Sequence, residues 1–439
     1  MSKILDLDRR HAWHPFTQHA LEVDPIVITK AKDASLFDEE GREILDLVSS
    51  WWTCTHGHAH PEINKAICAQ ADQFEHVMFA GFTHAPAAEL AAKLSAKLPG
   101  SLNRVFFSDN GSTAVEVALK LAYQYWRNKG EEQRRHFLAF DGAYHGDTFG
   151  AMAVGKGSGF FTLFQDLMFE VTALPYPETW RGDGEVLAKE TRAIEALEEA
   201  LKNRGPEIAG LIVEPLVQGA GGMRMCRPEF IAQMVERVQA LGIPVIFDEV
   251  ATGFGRSGTL FALEQAGVVP DVICLSKGLT SGYMPMSVTV ARDEIFEAFL
   301  GDDFGRALAH GHSFTANPLA CSVALRSLQL FDEEKTLDRI SVISARHAGF
   351  LEGQKNNPLI TRPRLTGTIM AFDLPLDGDS YKSAASEMLR DYFVKNGLNI
   401  RPLGPTIYLM PPYCITESEL DRAYEGILLG LEKFSEFSG

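Results

Sequence analysis

Two polar residues each end an apolar segment of the chain, and both types can do chemistry. Lys277 follows the run PDVICLS, and Asp248 follows the run IPVIF with Glu249 directly after it. Burying a charged group costs several kcal/mol unless it is paired, so a lysine at the inner end of a strand indicates a use for its amine. Ligands bind at the carboxyl ends of the strands in doubly wound sheets. We therefore expect Lys277 and Asp248 to face one crevice; two unrelated strand ends in contact with solvent are the alternative.

Three other stretches carry groups that suit a planar, anionic ligand. Gly111 and Ser112 open a predicted helix after the run RVFFSD, where free amides can bind phosphate, although an ordinary N-cap is the alternative. Tyr144 follows a predicted strand, where its ring would stack on a planar ligand or fill the core. Arg401 precedes a proline and would bind a carboxylate, or lie on the surface as an ordinary arginine. Together with the lysine and the aspartate, this set matches what pyridoxal phosphate requires.

Two motifs compete with that interpretation. The segment Gly253–Gly258, GFGRSG, fits the GxGxxG pattern after a strand, which would make the protein a nicotinamide oxidoreductase. That fingerprint should open a helix and be followed about 20 residues later by an acid, and neither condition is met. The histidine clusters at His56–His60 and His310–His312 lack metal-site spacing and cysteine company, so we predict no metal.

Composition excludes several classes of protein. The 439 residues are 46% hydrophobic and 23% charged, which is ordinary for a globular chain with one large and one smaller domain. The formal net charge of −17 repels nucleic acid and anionic membranes, so we expect neither as a partner. Six scattered cysteines without a CxxC pair, a charged N-terminus and no long apolar run lead us to expect a cytoplasmic protein.

The order of elements predicts an α/β fold. From about Glu89 onward, apolar runs alternate with helix-periodic stretches, which is typical of βαβ units and a mostly parallel sheet. The expected strands are Arg104–Asp109, Arg135–Phe140, Ala209–Pro215, Ile243–Val250 and Asp271–Ser276. After about Leu330 the pattern changes to an α+β lobe, and the first fifty residues form a meander that joins it. We predict an N-terminal segment (1–55) that joins the small domain, a large mostly parallel-sheet domain (56–328) and a C-terminal small domain (329–439).

The segments WHPFTQ, SSWW, YHGDTFGAM, EPLVQGAGGM, DEVATGFGRSG, LSKG, HGHSFTANPLAC and YLMPPY occur in this order over nearly the whole chain. This set resembles the class III (ω-amino acid type) pyridoxal-phosphate aminotransferases of fold type I. The pair DEVATGFGRSG and LSKG is highly specific for the class, and SSWW and YLMPPY are similar to its biotin-pathway branch. The resemblance implies transamination of 8-amino-7-oxononanoate to 7,8-diaminononanoate with pyridoxal 5'-phosphate as cofactor.

The resemblance also implies roles for residues around the cofactor. Lys277 would hold the cofactor covalently and move protons as base and acid, and Asp248 would keep the pyridinium nitrogen protonated. Gly111 and Ser112 would bind the cofactor's phosphate. Tyr144 would stack on its ring or face the substrate.

A homodimer with shared active sites is a further implication of the resemblance. Ser313, with Gly311 and His312 beside it, would bind the phosphate held by the neighbouring subunit. Trp51 and Trp52 would form a wall of the substrate pocket.

The remaining implied residues concern the substrate and its surroundings. Arg401 would hold the keto acid's carboxylate, and Phe16, Asp147, Glu214 and Gln218 would support the site. We expect S-adenosylmethionine as amino donor. Phe16, where the branch often has tyrosine, and the HGHS pattern are shared with relatives that use lysine, which is the alternative donor. Another class III enzyme using an ω-amino acid with pyruvate or 2-oxoglutarate is the nearest rival.

Overall fold

The computed structural model describes residues 3–21, 24–155, 161–376 and 384–438. The helices are α1 (Lys3–His11), α2 (Ser49–Trp52), α3 (Pro61–Ala71), α4 (Ala85–Lys97), α5 (Gly111–Asn128), α6 (Phe149–Val154), α7 (Val186–Arg204), α8 (Pro228–Gln239), α9 (Leu263–Ala266), α10 (Asp293–Glu297), α11 (Pro318–Glu333), α12 (Thr336–Gly353), α13 (Ala384–Lys395) and α14 (Glu417–Ser438). The strands are β1 (Ile28–Lys32), β2 (Ser35–Asp38), β3 (Glu43–Asp46), β4 (Leu102–Ser108), β5 (His136–Phe140), β6 (Val171–Leu174), β7 (Ile208–Val213), β8 (Val217–Gln218), β9 (Arg224–Met225), β10 (Val245–Asp248), β11 (Val272–Leu275), β12 (Ser287–Arg292), β13 (Thr361–Thr366), β14 (Ile369–Asp373), β15 (Leu398–Asn399) and β16 (Thr406–Leu409).

A seven-stranded sheet in the order β4-β12-β11-β10-β7-β5-β6 forms the centre of the larger part of the chain. β10 pairs in parallel with both β11 and β7, whereas β12 runs antiparallel to both of its neighbours. The predicted α/β architecture with a mostly parallel sheet is therefore confirmed. The carboxyl ends of β10 and β11 lie side by side, since Asp248 pairs in register with Cys274.

The sheet is covered on both faces, which explains why its central strands are apolar throughout. Every residue of β7, β10 and β11 is buried. Ile246 belongs to the apolar cluster that α5 forms on one face, whereas Val245 and Phe247 belong to the cluster on the other. Because side chains alternate along a strand, Asp248 projects to the same face as Ile246, toward α5.

Both halves of the chain contribute to the smaller sheets. β1, β2 and β3 form an antiparallel meander, and β15 pairs in parallel with β3 at its edge. β13, β14 and β16 form a separate antiparallel sheet. The N-terminal meander is thus joined to the C-terminal part of the chain, while the predicted domain limits at residues 55 and 328 stay a prediction.

The expected strands of the large sheet occur within a few residues of their predicted bounds. Two strands of this sheet, β6 and β12, have no counterpart among the predicted strands, although the alternating apolar residues of β12, SVTVAR, are a usual strand signal. None of the described helices has the length and apolar character that crossing a membrane requires.

The turn α2 is strained. All four of its residues, Ser49 to Trp52, have positive φ between 45° and 72°, although none is glycine. Left-handed backbone costs L-residues roughly 1–2 kcal/mol each, so such a turn persists only where surrounding contacts hold it. One such contact is the Ser49 hydroxyl, which donates to the Met410 carbonyl at 2.7 Å.

A glycine turn of the small sheet packs against the loop that follows β10. Gly367, between β13 and β14, has φ +53°, and a Cβ added to it would collide with the backbone of Ser257 and Gly258. The neighbouring Thr368 amide donates to the Arg256 carbonyl at 3.0 Å. The close approach of two backbones therefore requires a residue without a side chain.

We expect Gly367→Ala to destabilise the protein by about 2–4 kcal/mol, because backbone atoms cannot move aside as a flexible side chain would. The measurement is denaturant unfolding followed by circular dichroism. Gly353→Ala is the matched control, since no described atom beyond its chain neighbours and its own helix backbone lies within 4 Å of a Cβ added there. Equal unfolding midpoints for the two variants would contradict the expectation.

Candidate active site

A cavity of about 610 Å³ opens at the carboxyl ends of β10 and β11. Its size suits a small-molecule site. Its wall includes the predicted residues Trp52, Gly111, Ser112, Tyr144, Asp147, Glu214, Asp248 and Lys277. The structure thus brings together residues that lie up to 225 positions apart in the sequence, among them both strand-end residues, Asp248 and Lys277.

Lys277 presents its amine to this cavity. Its backbone is left-handed, with φ 47°, directly after β11 and Ser276. The Nζ atom lies 4.3 Å from the centre of the Trp52 ring, within the range of a cation–π contact. Removal from water lowers the pKa of Lys277 to about 8, although the nearby Asp248 and Glu214 charges favour the ammonium form. About a tenth of the amine is therefore neutral at pH 7, far more than for an ordinary lysine.

Asp248 is held by a buried histidine that had no predicted role. The Nδ1 of His145 donates to one carboxylate oxygen at 2.7 Å, and the Val250 amide donates to the other at 3.0 Å. The side chain of His145 has no exposed surface. Burial alone would lower the pKa of His145, but the bond to Asp248 outweighs it and raises that pKa. In the sequence, His145 is notable only as the neighbour of Tyr144. Its partner Asp248 lies 103 residues further along the chain, so no local pattern indicates their contact.

The start of α5 lines the cavity with backbone amides that could hold an anion. Asn110 caps the helix by accepting from the Thr113 amide at 3.0 Å, and the first intrahelical bond is Ala114 N–H to Asn110 O. The Gly111 and Ser112 amides precede that bond, so they belong to the set that a helix leaves for a ligand.

Space at that end is reserved by glycine. A Cβ on Gly111 would lie 2.6 Å from a methyl group of Val250, and one on Gly146 would collide with Ser112. Ser112 and Thr148 join their hydroxyls at 2.7 Å. Amides, hydroxyls and side-chain-free backbone together fit a phosphate group.

Tyr144 and Glu214 line the side of the cavity. The Tyr144 hydroxyl donates to Asp147 at 3.1 Å, and its ring lies nearly parallel to Phe161 with centroids 5.9 Å apart. Glu214 accepts from the amides of Tyr144 and Gly219, each at 3.0 Å. Burial raises the pKa of Glu214 to about 7, against the effect of His145. Glu214 therefore fixes the backbone that carries Tyr144.

Gln218 is not among the residues that line the cavity. It is buried, and its amide nitrogen donates to the Asp141 carbonyl at 3.1 Å. Its predicted role near the cofactor stays a prediction, and contact with a ligand in the cavity would be indirect.

A second group of predicted residues stacks beside the cavity. The Arg401 guanidinium lies 5.3 Å from the centre of the Trp51 ring, and Phe16 packs on the same indole at 5.9 Å. Trp51 and Phe16 are each 43% exposed. Trp52, by contrast, is buried, and its indole nitrogen donates to the Tyr408 hydroxyl at 3.0 Å. The two tryptophans therefore face different surroundings, one open and one enclosed.

The segment Gly311–Ser313 lies outside the cavity wall of the described chain. Gly311 and Ser313 are exposed, and the His312 amide donates to the Thr315 hydroxyl at 3.1 Å. The segment therefore does not contribute to the site of its own chain in this arrangement.

The competing nucleotide motif is not placed to bind a dinucleotide. Gly253–Gly258 follows β10 as a series of turns, and the next helix, α9, begins only at Leu263 and has one turn. Gly278, next to Lys277, leaves room for the Phe254 side chain, whose Cβ would lie 2.9 Å from an added Cβ. The loop instead supports the lysine segment, and the oxidoreductase alternative loses its site.

Metal-binding side chains are not clustered in the described part of the chain. No group of three or more His, Cys, Asp or Glu side chains able to hold an ion occurs there.

Comparison with known proteins identifies what the chain is similar to. The model of the family described as aminotransferase class-III matches residues 17–429. A relative from Synechococcus elongatus named adenosylmethionine-8-amino-7-oxononanoate aminotransferase is 51% identical over 95% of this chain and 97% of its own. A relative of the same name from Geobacter sulfurreducens is 39% identical over 96% of each chain.

Solved structures agree with the sequence comparison. The crystal structure of adenosylmethionine-8-amino-7-oxononanoate aminotransferase from Methanocaldococcus jannaschii superposes with a TM-score of 0.91, at 32% identity and 98% coverage of both chains. An (S)-enantioselective omega-transaminase from Thermomicrobium roseum superposes with a TM-score of 0.90, at 29% identity and 98% coverage of both chains.

The lowered pKa of Lys277 predicts that its amine is labelled at a lower pH than an ordinary lysine. With the protein freed of bound small molecules, reductive methylation of Lys277 should rise with pH around a midpoint of about 8, because burial disfavours the ammonium form. Peptide mass spectrometry measures the modification site by site. Asp248→Asn should lower the midpoint further, since the carboxylate favours the ammonium form. A midpoint above pH 10 would contradict the burial argument.

Proposed function

The chain belongs to the class-III aminotransferase family, and on that premise we propose that it transfers an amino group to 8-amino-7-oxononanoate, yielding 7,8-diaminononanoate for biotin biosynthesis. As a member of the family it is a pyridoxal-phosphate-dependent aminotransferase. The acceptor is taken from the names of relatives that match almost end to end. The observation that carries the proposal is the meeting of Lys277, Asp248 and the α5 start in one cavity.

The residues around the cavity fit pyridoxal phosphate. The α5 amides at Gly111 and Ser112 would take its phosphate, Asp248 its pyridine nitrogen, and Lys277 its aldehyde carbon. When bound, the cofactor supplies an electron sink and carries the amino group from donor to acceptor. The overall acidic charge does not oppose this, because the phosphate would be held by local dipoles.

Lys277 is suited to move protons in both directions. A pKa of about 8 lets its amine accept a proton and return it near neutral pH. The Trp52 face stabilises the charged form. Asp248, with His145 behind it, provides a fixed negative charge for a protonated ring nitrogen.

Arg401 and Trp51 would recognise the far end of the acceptor. A guanidinium stacked on an indole retains donors at its edge, where a carboxylate can bind with two parallel hydrogen bonds. Trp52 would line the part of the acceptor nearer Lys277. Phe16, which packs on Trp51, offers no hydroxyl to a substrate.

The amino donor is S-adenosylmethionine in this proposal, with lysine as the alternative. The names of the relatives and the SSWW and YLMPPY segments support the first, and Phe16 with the HGHS pattern supports the second. A cytoplasmic location stays a prediction from the sequence.

A homodimer with shared sites is part of the proposal. Gly311–Ser313 is exposed and lies away from the cavity of its own chain, as expected for a segment that serves a neighbouring copy. Ser313 would then bind the phosphate held by the partner's α5.

The donor and acceptor are tested by the visible absorption of the loaded enzyme. S-Adenosylmethionine should remove the band of the lysine-bound cofactor, and lysine should leave it unchanged. Adding 8-amino-7-oxononanoate should then restore the band, whereas pyruvate should not. Loss with lysine alone would transfer the protein to the lysine-using branch, and restoration by pyruvate alone would overturn the proposed acceptor. Lys277→Ala is the control, and substantial turnover by that folded variant would contradict the role of the amine.

Mixing two inactive variants tests the shared site. Ser313→Asp should be inactive because its charge repels the cofactor's phosphate. After re-pairing with Lys277→Ala, half the dimers are mixed and each has one intact site, so about a quarter of wild-type activity should return. Steady-state turnover of the mixture measures this, with each variant alone as control. No recovery, with mixed dimers demonstrated by mass spectrometry, would place Ser313 in its own chain's site.

A further inference from the structure

The strained turn α2 is held at two separate points. Its first residue, Ser49, bonds to Met410, and its last, Trp52, bonds to Tyr408; both partners lie at or just after β16. These contacts hold the two ends of the turn, and Trp52 at one end contacts Lys277. The middle of the turn, which carries Trp51, has a different anchor.

That anchor is Asp46, the last residue of β3, whose side chain has no exposed surface. One carboxylate oxygen accepts from the Ser50 amide at 2.9 Å, and the other accepts from the Ser50 hydroxyl at 2.7 Å and from His58 Nε2 at 2.9 Å. Ser50 directly precedes Trp51. Two hydrogen bonds from one residue fix its left-handed conformation and hence the direction in which the Trp51 indole leaves the turn.

The Asp46 carboxylate also bonds to the strand that leads to Arg401. The Asn399 side-chain amide donates to it at 3.0 Å, across 353 residues of sequence. Asn399 ends β15, two residues before Arg401. A single buried group is therefore bonded next to Trp51 and close to Arg401, whose guanidinium lies 5.3 Å from the Trp51 ring.

We propose that Asp46 is a positioning residue that sets the distance and orientation between Trp51 and Arg401. The inference deepens the proposed function, since it rests on Arg401 binding the acceptor's carboxylate. A carboxylate is required because it accepts at about four lone-pair sites, and four donors converge on it here. Asparagine has the same shape but would turn an NH₂ group toward donors, leaving some of them unpaired.

Asp46→Asn should raise the KM for 8-amino-7-oxononanoate about tenfold and leave kcat within about twofold. The reason is that Trp51 and Arg401 bind the remote end of the acceptor, while Ser49 and Trp52 keep their own anchors near Lys277. The methylation midpoint of Lys277 should therefore stay where it is in the wild type. Steady-state kinetics of the loaded enzyme and the labelling assay give the two readouts.

Asp38→Asn is the matched control. Asp38 is also a buried aspartate of the same sheet, and it accepts from the amides of Glu40 and Arg42 and from the Arg42 side chain. It touches neither Trp51 nor Ser50. If Asp46 served stability alone, the two variants would change KM alike, and that result would overturn the inference.

A double-mutant cycle with Asn399→Ala tests whether Asp46 acts through its bond to Asn399 as well as through its bonds to Ser50. Each single substitution should raise KM, and the double variant should resemble Asp46→Asn alone, because both remove the same link. If the two effects on KM multiply in the double variant, the residues act independently, and the inference is overturned.

An assay without substrate separates this inference from the proposed function. In cofactor-free protein, Asp46→Asn should speed amide hydrogen exchange in the segment 49–53 about tenfold relative to wild type, and Asp38→Asn should not. Unchanged exchange would overturn the role of Asp46 whatever the substrate. If exchange is faster in Asp46→Asn but the wild type does not use 8-amino-7-oxononanoate, the positioning role of Asp46 stands and the proposed acceptor is rejected.

Discussion

The active site depends on keeping one negative charge inside the protein. Asp248 ends the central strand of the large sheet, where every neighbouring strand residue is apolar and both faces are covered. An isolated charge there would cost several kcal/mol to bury. The buried His145 pairs with the carboxylate by donating at 2.7 Å. Burial also lowers the pKa of the Lys277 amine, whereas the nearby Asp248 charge favours its ammonium form.

In the proposed function, anionic ligands would be bound by short-range groups. The chain carries a net charge of −17, which would repel phosphates and carboxylates if the overall field decided. The start of α5 would supply backbone amides, and Arg401, which lies 5.3 Å from the Trp51 ring, would supply a guanidinium. A Debye length of about 8 Å at physiological salt screens the distant surface charge more than these local contacts. An acidic surface is therefore compatible with anionic substrates.

Local patterns predicted what lies near in sequence, and long-range contacts escaped prediction. The apolar runs that became β10 and β11, with Asp248 and Lys277 after them, were recognisable because strand ends in such sheets converge. His145 and Asp46 received no role, since the bonds that define them reach Asp248 and Asn399 across 103 and 353 residues. Resemblance to a family supplied the roles of other residues, but no periodicity indicates which buried carboxylate braces which turn.

The contacts of α2 with β16 also set when this part of the structure can form during synthesis. Trp52 is made 356 residues before its partner Tyr408, and at ribosomal rates of about 5–20 residues per second the wait is some tens of seconds. During that time the left-handed turn lacks its contacts with Tyr408 and Met410, so these contacts cannot yet offset the strain of its backbone. The α2 turn therefore reaches its final conformation late, and a nascent or truncated chain lacking β15 and β16 lacks the contacts that hold both ends of this turn.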